Sequence, residues 1–388
     1  MKILFISHDA NRAGAQLFLL NIMRYFQKKI EMHLLLLDGG VLESDFKEVC
    51  NVLKYPQTSI SNEDTISDKI LRKLKLKNPK NQFDIVKETL KNQLSSEGFD
   101  VIYVNTIASA WVLPEILAYL HVPVVTHIHE LEFSLQLYST PTLRKFLFNH
   151  TTQLIACSEA VAKNIIDKHD FPSSKIEIIH SFVNNEEVIK RSQNTDKQAI
   201  RKKYHIPEKA FLVGGCGNAE WRKGVDIFAS LAKSIRDMSS NNFYFAWVGV
   251  KKEGEYYEQV MYDIEKMGIK KDIVFIESTP EAIELINCFD IFTVVSREDP
   301  FPLVMLEAAL SQRTILGFEG TGGCSEFIET DAGILFPYLN THLMAQKIIT
   351  ISQNPVNEFG ENAKEKVLQK YSFDHSIVKI EKLLTHYK

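Results

Sequence analysis

The chain is 388 residues long, 45% hydrophobic and 24% charged, which excludes a disordered or fibrous protein. At roughly 150 residues per domain that length argues for two domains. A net charge of −4 removes the electrostatic basis for wrapping nucleic acid, so no nucleic-acid partner is expected. Five scattered cysteines (Cys50, Cys157, Cys216, Cys288, Cys324) form no C-x-x-C pair and read as reduced core thiols of a cytoplasmic protein. The start, Met1–His8, turns polar too quickly for a signal peptide, and no run approaches the ~18 apolar residues of a membrane span.

The first predicted strand is Ile3–Ser7, followed by Asn11-Arg12-Ala13-Gly14-Ala15-Gln16 and a helix over Ala15–Phe26. Small residues at 13 to 15 let a ligand approach the backbone closely, although tight packing of helix on strand explains them equally well. A second strand is expected at His33–Leu37. Residues 61–95 break the rhythm and read as a helical insertion. Within it, the cations Lys69, Arg72, Lys73, Lys75, Lys77 and Lys80 alternate with leucine and isoleucine, and no acid follows until Asp84. Such a stretch can rest on an anionic membrane surface or pack its leucines on the domain.

Strands then follow at Val101–Val104, Val122–Thr126 and Gln153–Ala156. The fourth of these five, Val122–Thr126, runs into His127-Ile128-His129-Glu130, where the period of two puts both histidines on one face. The pair lacks a clear third metal ligand, so the expectation is one histidine donating a hydrogen bond in a cleft and one structural. From Asn184 to Lys209 the chain is almost wholly polar, and the apolar rhythm restarts at Phe211. This seam sets a first domain at 1–185 and a second at 186–371, with a last helix over 372–388 that can cross back.

The second domain repeats the alternation, with strands at Phe211–Gly215, Phe243–Val248, Ile273–Ile276, Ile291–Val295 and Arg313–Gly317. Continuous apolar strands separated by helices mean parallel sheets covered on both faces, hence an α/β protein of two doubly wound, Rossmann-like domains facing across a cleft. The loop Gly214-Gly215-Cys216-Gly217-Asn218-Ala219-Glu220-Trp221-Arg222-Lys223-Gly224 joins the strand Phe211–Gly215 to a helix over Asp226–Arg236. It is not the dinucleotide fingerprint, because Glu220 stands where the third glycine would be. Arg222 and Lys223 are cations at a helix N-terminus, an unfavourable placement that a diphosphate would explain.

The segment Ser296-Arg297-Glu298-Asp299-Pro300-Phe301-Pro302-Leu303-Val304-Met305-Leu306-Glu307 follows the strand Ile291–Val295. Pro300 and Pro302 postpone the helix until residue 302, which leaves the N–H groups of Leu303 and Val304 unpaired at a helix N-terminus, an anion site. Glu307 is the one charged residue between Leu303 and Leu310, on a helix apolar all round. A buried carboxylate needs a partner, and ligand hydroxyls would serve as well as a local cap.

At this point the residues resemble a known family. The block Asp299–Glu307 resembles the E-x7-E signature of retaining glycosyltransferases, in particular glycosyltransferase family 4, with Asp299 or its neighbour Glu298 as the first acid. Gly322-Gly323-Cys324-Ser325-Glu326 resembles that family's G-G-x-x-E, and Lys223-Gly224 its K-G pair. Asn218 stands where the family carries an arginine, with Arg222 as a substitute. Gly14 matches the N-terminal glycine loop, and His129-Glu130 resembles the family's H-D. The resemblance implies a GT-B fold with an N-terminal acceptor domain and a C-terminal donor domain. It implies a nucleotide-diphospho-sugar substrate, UDP- or GDP-linked, and no metal or other cofactor. It assigns the ribose to Glu307, the diphosphate to Lys223, Arg222, Asn218, Leu303 and Val304 with Gly14 and Ala15 opposite, and catalysis to His129, Asp299 and Glu298. The function implied is a cytoplasmic retaining transfer to a glycan or lipid-linked acceptor in cell-surface polysaccharide synthesis, with possible peripheral contact with an anionic membrane. The competing readings are a same-fold sugar-nucleotide epimerase or phosphorylase, and a non-catalytic nucleotide-sugar-binding subunit.

Overall fold

A computed structural model describes residues 1–57, 82–354 and 358–387. The basic stretch 69–80 lies outside the described residues, and of the expected insertion 61–95 the described part forms the helix Gln82–Ser96. The chain divides into two compact units, Met1–Ile155 with His169–Glu177 and Glu381–Lys388, and Ala156–Lys168 with Ile178–Ile380. No helix among the described residues is long and apolar enough to cross a membrane.

The first unit is built on a seven-stranded sheet of order β3-β2-β1-β4-β5-β6-β7. These strands are β1 (Lys2–Ser7), β2 (Glu31–Leu36), β3 (Asn51–Lys54), β4 (Val101–Asn105), β5 (Val124–Ile128), β6 (Gln153–Ala156) and β7 (Ile176–Ile178). The pairings β1–β2, β2–β3, β1–β4 and β4–β5 are parallel. β4 and β5 are buried along their whole length, as strands covered on both faces must be.

The second unit holds a six-stranded sheet of order β10-β9-β8-β11-β12-β13, parallel throughout. Its strands are β8 (Phe211–Cys216), β9 (Phe243–Val248), β10 (Ile273–Ile276), β11 (Ile291–Val294), β12 (Thr314–Phe318) and β13 (Ile334–Phe336). Its core packs Phe228, Phe243, Phe245, Trp247 and Phe318 between that sheet and the helix Val225–Met238.

In each sheet the winding reverses once, between β1 and β4 and between β8 and β11. Where consecutive crossovers leave in opposite directions, the loops at the carboxyl ends of the strands part and open a crevice for ligands. The loops after β8 and β11 therefore flank one such crevice, and those after β1 and β4 another.

The division departs from a boundary at residue 185 in two places. Ala156–Lys168 belongs to the second unit, where the N–H of Ala160 donates to Glu326 Oε2 at 3.2 Å. The helix Phe373–Thr385 is shared between the units. Ser376 Oγ donates to the carbonyl of His180 at 2.8 Å, whereas Glu381, in the first unit, accepts from Tyr25 OH at 2.7 Å. The exchange of Ala156–Lys168 carries no sequence signal, because it rests on a pair 166 residues apart, whereas a last helix that crosses back was expected.

Gly224 is the backbone pivot of the second unit. It has φ +77°, and a Cβ there would stand 2.2 Å from the carbonyl oxygen of Val295. Gly268, at φ +70°, ends the helix Glu255–Met267 with open space around it. The left-handed conformation alone costs a side chain about 1–2 kcal/mol, and a contact that short adds to it. Gly268→Ala is therefore expected to cost about 1 kcal/mol and Gly224→Ala clearly more, read as the difference in urea midpoints at constant m.

Candidate functional site

The loop after β11 is set by its prolines. Asp299 makes a single parallel bridge to Gly322, its N–H donating to Thr321 O at 2.7 Å. Pro302 then acts as N-cap, one residue earlier than a helix beginning at 302 would have it, and the helix runs Leu303–Leu310. No side chain caps it, so the N–H groups of Leu303 and Val304 stay at its open end. Met305, Leu306, Ala308, Ala309 and Leu310 are buried around it.

Two cations of the loop after β8 reach this place. Asp299 is 4% exposed, and its Oδ2 accepts from Lys223 Nζ at 2.5 Å and from Ser296 Oγ at 3.4 Å. Arg222 approaches Asp299 Oδ1 at 3.8 Å while donating to Glu220 at 2.8 Å and to the carbonyl of Glu298 at 3.0 Å. Of the two acids proposed for the first position, Asp299 is thus the buried one that touches Lys223, and Glu298 meets Arg222 through its main chain. Asn218 is exposed, and its side chain makes no hydrogen bond among the described residues.

Glu307 behaves oppositely to Asp299. Its carboxylate has no hydrogen bond or ion pair among the described residues, and burial raises its pKa to about 7; Arg191 opposes the rise and Glu187 adds to it. Cys216, at the end of β8, links it electrostatically to the cation pair. Burial pushes the thiol up, Glu307 pushes it further and Lys223 pulls it down. One acid is therefore paired with a lysine, and the other is desolvated without a partner among the described residues.

In the first unit the functional side chains gather where β1, β4 and β5 end. His129 Nε2 lies 3.1 Å from Asn105 Oδ1, and Asn105 Nδ2 donates to the carbonyl of Ala15 at 3.3 Å. Asn105 thus holds the His129 ring in place. Burial, with His8 adding to it, lowers the His129 pKa to about 3. His127 is fully buried, stacks on His129 with centroids 3.9 Å apart and meets Tyr103 OH through Nδ1 at 2.6 Å. The two rings are tilted by 32° to each other, His127 held by Tyr103 and His129 by Asn105. Gly14 opens the helix Gly14–Phe26, which has no side-chain cap.

Several residues here carry no sequence signal. His8 meets Thr106 Oγ1 at 3.1 Å and Gln16 Nε2 at 3.1 Å, and Gln16 also bonds Asp9. Thr106 holds φ +72°, a conformation that a β-branched residue rarely adopts. Arg297 forks onto Asp226 at 2.9 and 2.6 Å. Elsewhere, Glu31, His33 and Glu97 bring ligand atoms within 4.8 Å of one another, but Lys2 Nζ already sits 2.8 Å from both carboxylates.

Two family models match the chain. Glycosyltransferase Family 4 matches residues 13–187, and Glycosyl transferases group 1 matches residues 196–366. The chain is similar to the O-antigen biosynthesis glycosyltransferase WclY of Escherichia coli, 24% identical over 319 residues, 79% of this chain and 77% of the relative. It is also similar to the alpha-galactosylglucosyldiacylglycerol synthase of Streptococcus pneumoniae, 27% identical over 176 residues and 44% of each chain. Among solved structures, Anabaena Alr3699/HepE in complex with UDP and glucose superposes with a TM-score of 0.81 at 18% identity, over 100% of both chains. At that identity the likeness is one of fold.

The raised pKa of Glu307 makes a stability prediction. The folded protein holds the Glu307 proton up to about pH 7, whereas the unfolded chain releases it near 4.5. Stability from this group is therefore complete below pH 4.5 and lost as pH rises through 7. Glu307→Gln, which does not ionise, is expected to gain on the wild type across that window, by at most about 3 kcal/mol at 1.36 kcal/mol per pKa unit. Urea midpoints of both proteins at pH 4.5, 6 and 7.5 check this; parallel curves would refute it.

Proposed function

The chain belongs to glycosyltransferase family 4 and the glycosyl transferases group 1, with the GT-B fold, and from that premise we propose that it transfers a sugar with retention, without a metal, from a UDP- or GDP-sugar to a hydroxyl of a glycan or lipid-linked acceptor in cell-surface polysaccharide synthesis. The observation that carries this reading is the pair of unlike acids beside two cations. Glu307, desolvated and without a protein partner, accepts the ribose hydroxyls. Lys223 and Arg222, with the N–H groups of Leu303 and Val304, meet the diphosphate, supplying the positive charge that a divalent ion would otherwise bring. Asp299 stands between those cations and the sugar.

The first unit supports retention. An inverting transfer needs a general base of pKa near the working pH, on the face opposite the leaving group. His129 was the candidate, and with its pKa lowered to about 3 it takes up a proton poorly at neutral pH. It acts instead as a neutral ring that positions a hydroxyl by hydrogen bonding. In the retaining course the acceptor attacks from the leaving-group side, and a diphosphate oxygen takes its proton. Lys223, Arg222 and the helix amides then act by stabilising charge that grows on the departing diphosphate.

The acceptor class rests on the relatives, which are named for O-antigen and glycolipid synthesis. The transfer is tested by incubating the protein with UDP- and GDP-sugars and lipid-linked acceptors and reading the new anomeric proton by NMR. An α-linked donor is expected to yield an α-linked product. A β-linked product overturns retention, and conversion of the donor without acceptor would mean an epimerase.

A peripheral location belongs to the same proposal, carried by the cations of 69–80, each worth about 1 kcal/mol near anionic lipid. The protein is expected to float with phosphatidylglycerol liposomes and to stay behind with phosphatidylcholine ones. Equal flotation with both would remove the idea.

A further inference from the structure

Lys223 ends a single tight turn, Trp221–Lys223, and is followed at once by the left-handed Gly224. Such a turn leaves its carbonyl groups without partners of its own and has no side chain at Gly224 to stiffen it. The direction of the Lys223 side chain therefore depends on what holds the carbonyls of Trp221 and Arg222.

One residue of the other loop holds both. The main-chain N–H of Arg297 donates to Arg222 O at 2.8 Å, and its Nη1 donates to Trp221 O at 2.7 Å. The same guanidinium forks onto Asp226, Nη1 to Oδ1 at 2.9 Å and Nη2 to Oδ2 at 2.6 Å, and lies over the Trp221 ring 4.7 Å from its centroid. Asp226 stands in the first turn of the helix Val225–Met238 and is itself held by Tyr256 OH at 2.9 Å. Arg297 thus touches residues on both sides of Arg222-Lys223-Gly224 and is two residues from Asp299, the partner of Lys223.

We propose that Arg297 is a positioning residue for the diphosphate: it clamps the turn after β8 to the loop after β11 so that Lys223 and Arg222 are already aimed at the phosphates before the donor arrives. The proposal rests on the reading of this site as a nucleotide-diphospho-sugar site. The planar fork is what the place requires, because one group must serve a carboxylate, a carbonyl and an aromatic face together. Preorganised cations spare the ligand the cost of ordering them. Without the guanidinium the main-chain bond to Arg222 O stays, but Trp221 O and Asp226 lose their shared donor, and the turn that carries the cations is held less firmly. The ribose carboxylate, Glu307, stands on a separate helix and does not depend on the clamp.

The test separates the phosphate from the nucleoside. Wild type, Arg297→Ala, Arg297→Lys and Asp226→Asn are titrated with UDP and uridine, and with GDP and guanosine, by ligand-observed NMR and calorimetry. For whichever diphosphate binds the wild type, Arg297→Ala is expected to lose roughly tenfold or more in affinity while its nucleoside changes less than twofold. Arg297→Lys, which keeps the charge but cannot fork, and Asp226→Asn, which keeps the carbonyl bonds, are expected to fall between. Should Arg297→Ala fail to fold, those two variants carry the comparison. Equal losses for nucleoside and diphosphate would mean a merely structural role and overturn the proposal, as would an unchanged diphosphate affinity. If the wild type binds neither diphosphate, the nucleotide-sugar reading itself fails.

Discussion

The contact on which the second unit's site depends is the ion pair between Lys223 Nζ and Asp299 Oδ2, 2.5 Å long, with its carboxylate almost entirely out of water. Removing one partner of such a pair costs about 3–5 kcal/mol, because the other charge is left buried and alone. The pair therefore fixes the spacing of two loops that are 76 residues apart in the chain. It also gives Lys223 a place to be when no donor is present. Lys223 is therefore not a solvated lysine that must be dehydrated and ordered, and on the proposed reading an arriving diphosphate would meet it already paired with Asp299. Substituting Lys223 would thus disturb the fold of the loops as well as the ligand contact, so loss of binding in such a variant is not by itself evidence of a phosphate contact.

The second constraint is that two acids of one loop and helix are kept in different states. Asp299 has lysine, arginine and serine around it, whereas Glu307 has an apolar helix and a distant arginine. Burial without a partner raises a carboxyl pKa, as it does at Glu307. The division of labour follows from that. A carboxylate already paired contributes field and position, and one left unpaired gains most when a hydroxyl arrives to bond it. Ribose hydroxyls are suitable partners because they bring donors without bringing charge.

The sheets were legible in the sequence where strands are covered on both faces. β4, β5, β11 and β12 are buried along their whole length, and β1 from Ile3 onward, which is why they read as largely apolar runs. The strands that escaped are β3, β7 and β13, four or three residues long and partly exposed, with Asn51, Lys54 and Glu177 breaking the pattern. The acid loop was legible because proline, carboxylate and helix start occupy one continuous stretch. Arg297 was not, since its partner Asp226 is 71 residues away and an arginine beside two acids reads as an ordinary surface residue. The cluster around His8, Asn105 and Thr106 was hidden for the same reason: its members end β1 and β4, which are neighbours only once the sheet is wound.

That cluster shows how the first unit stores order. Thr106 is held at φ +72° and ψ +156°, which costs of order 1–3 kcal/mol for a residue of its shape. Three strands contribute to holding it there. Its N–H donates to the carbonyl of His127 at 2.9 Å, its hydroxyl bonds His8 at 3.1 Å, and the next N–H, of Ile107, donates to Glu130 at 3.2 Å. Glu130 accepts also from the N–H of His129 at 2.9 Å, so the carboxylate that steadies the strained loop steadies the histidine as well. Burial lowers the pKa of His8 and of His129 alike, with Asp9 resisting in the case of His8. Rings bonded to an amide and a hydroxyl are held in orientation whichever nitrogen carries the proton. The strained loop and the His129 main chain share the Glu130 carboxylate, so the bonds that hold the strain also set where the histidine stands.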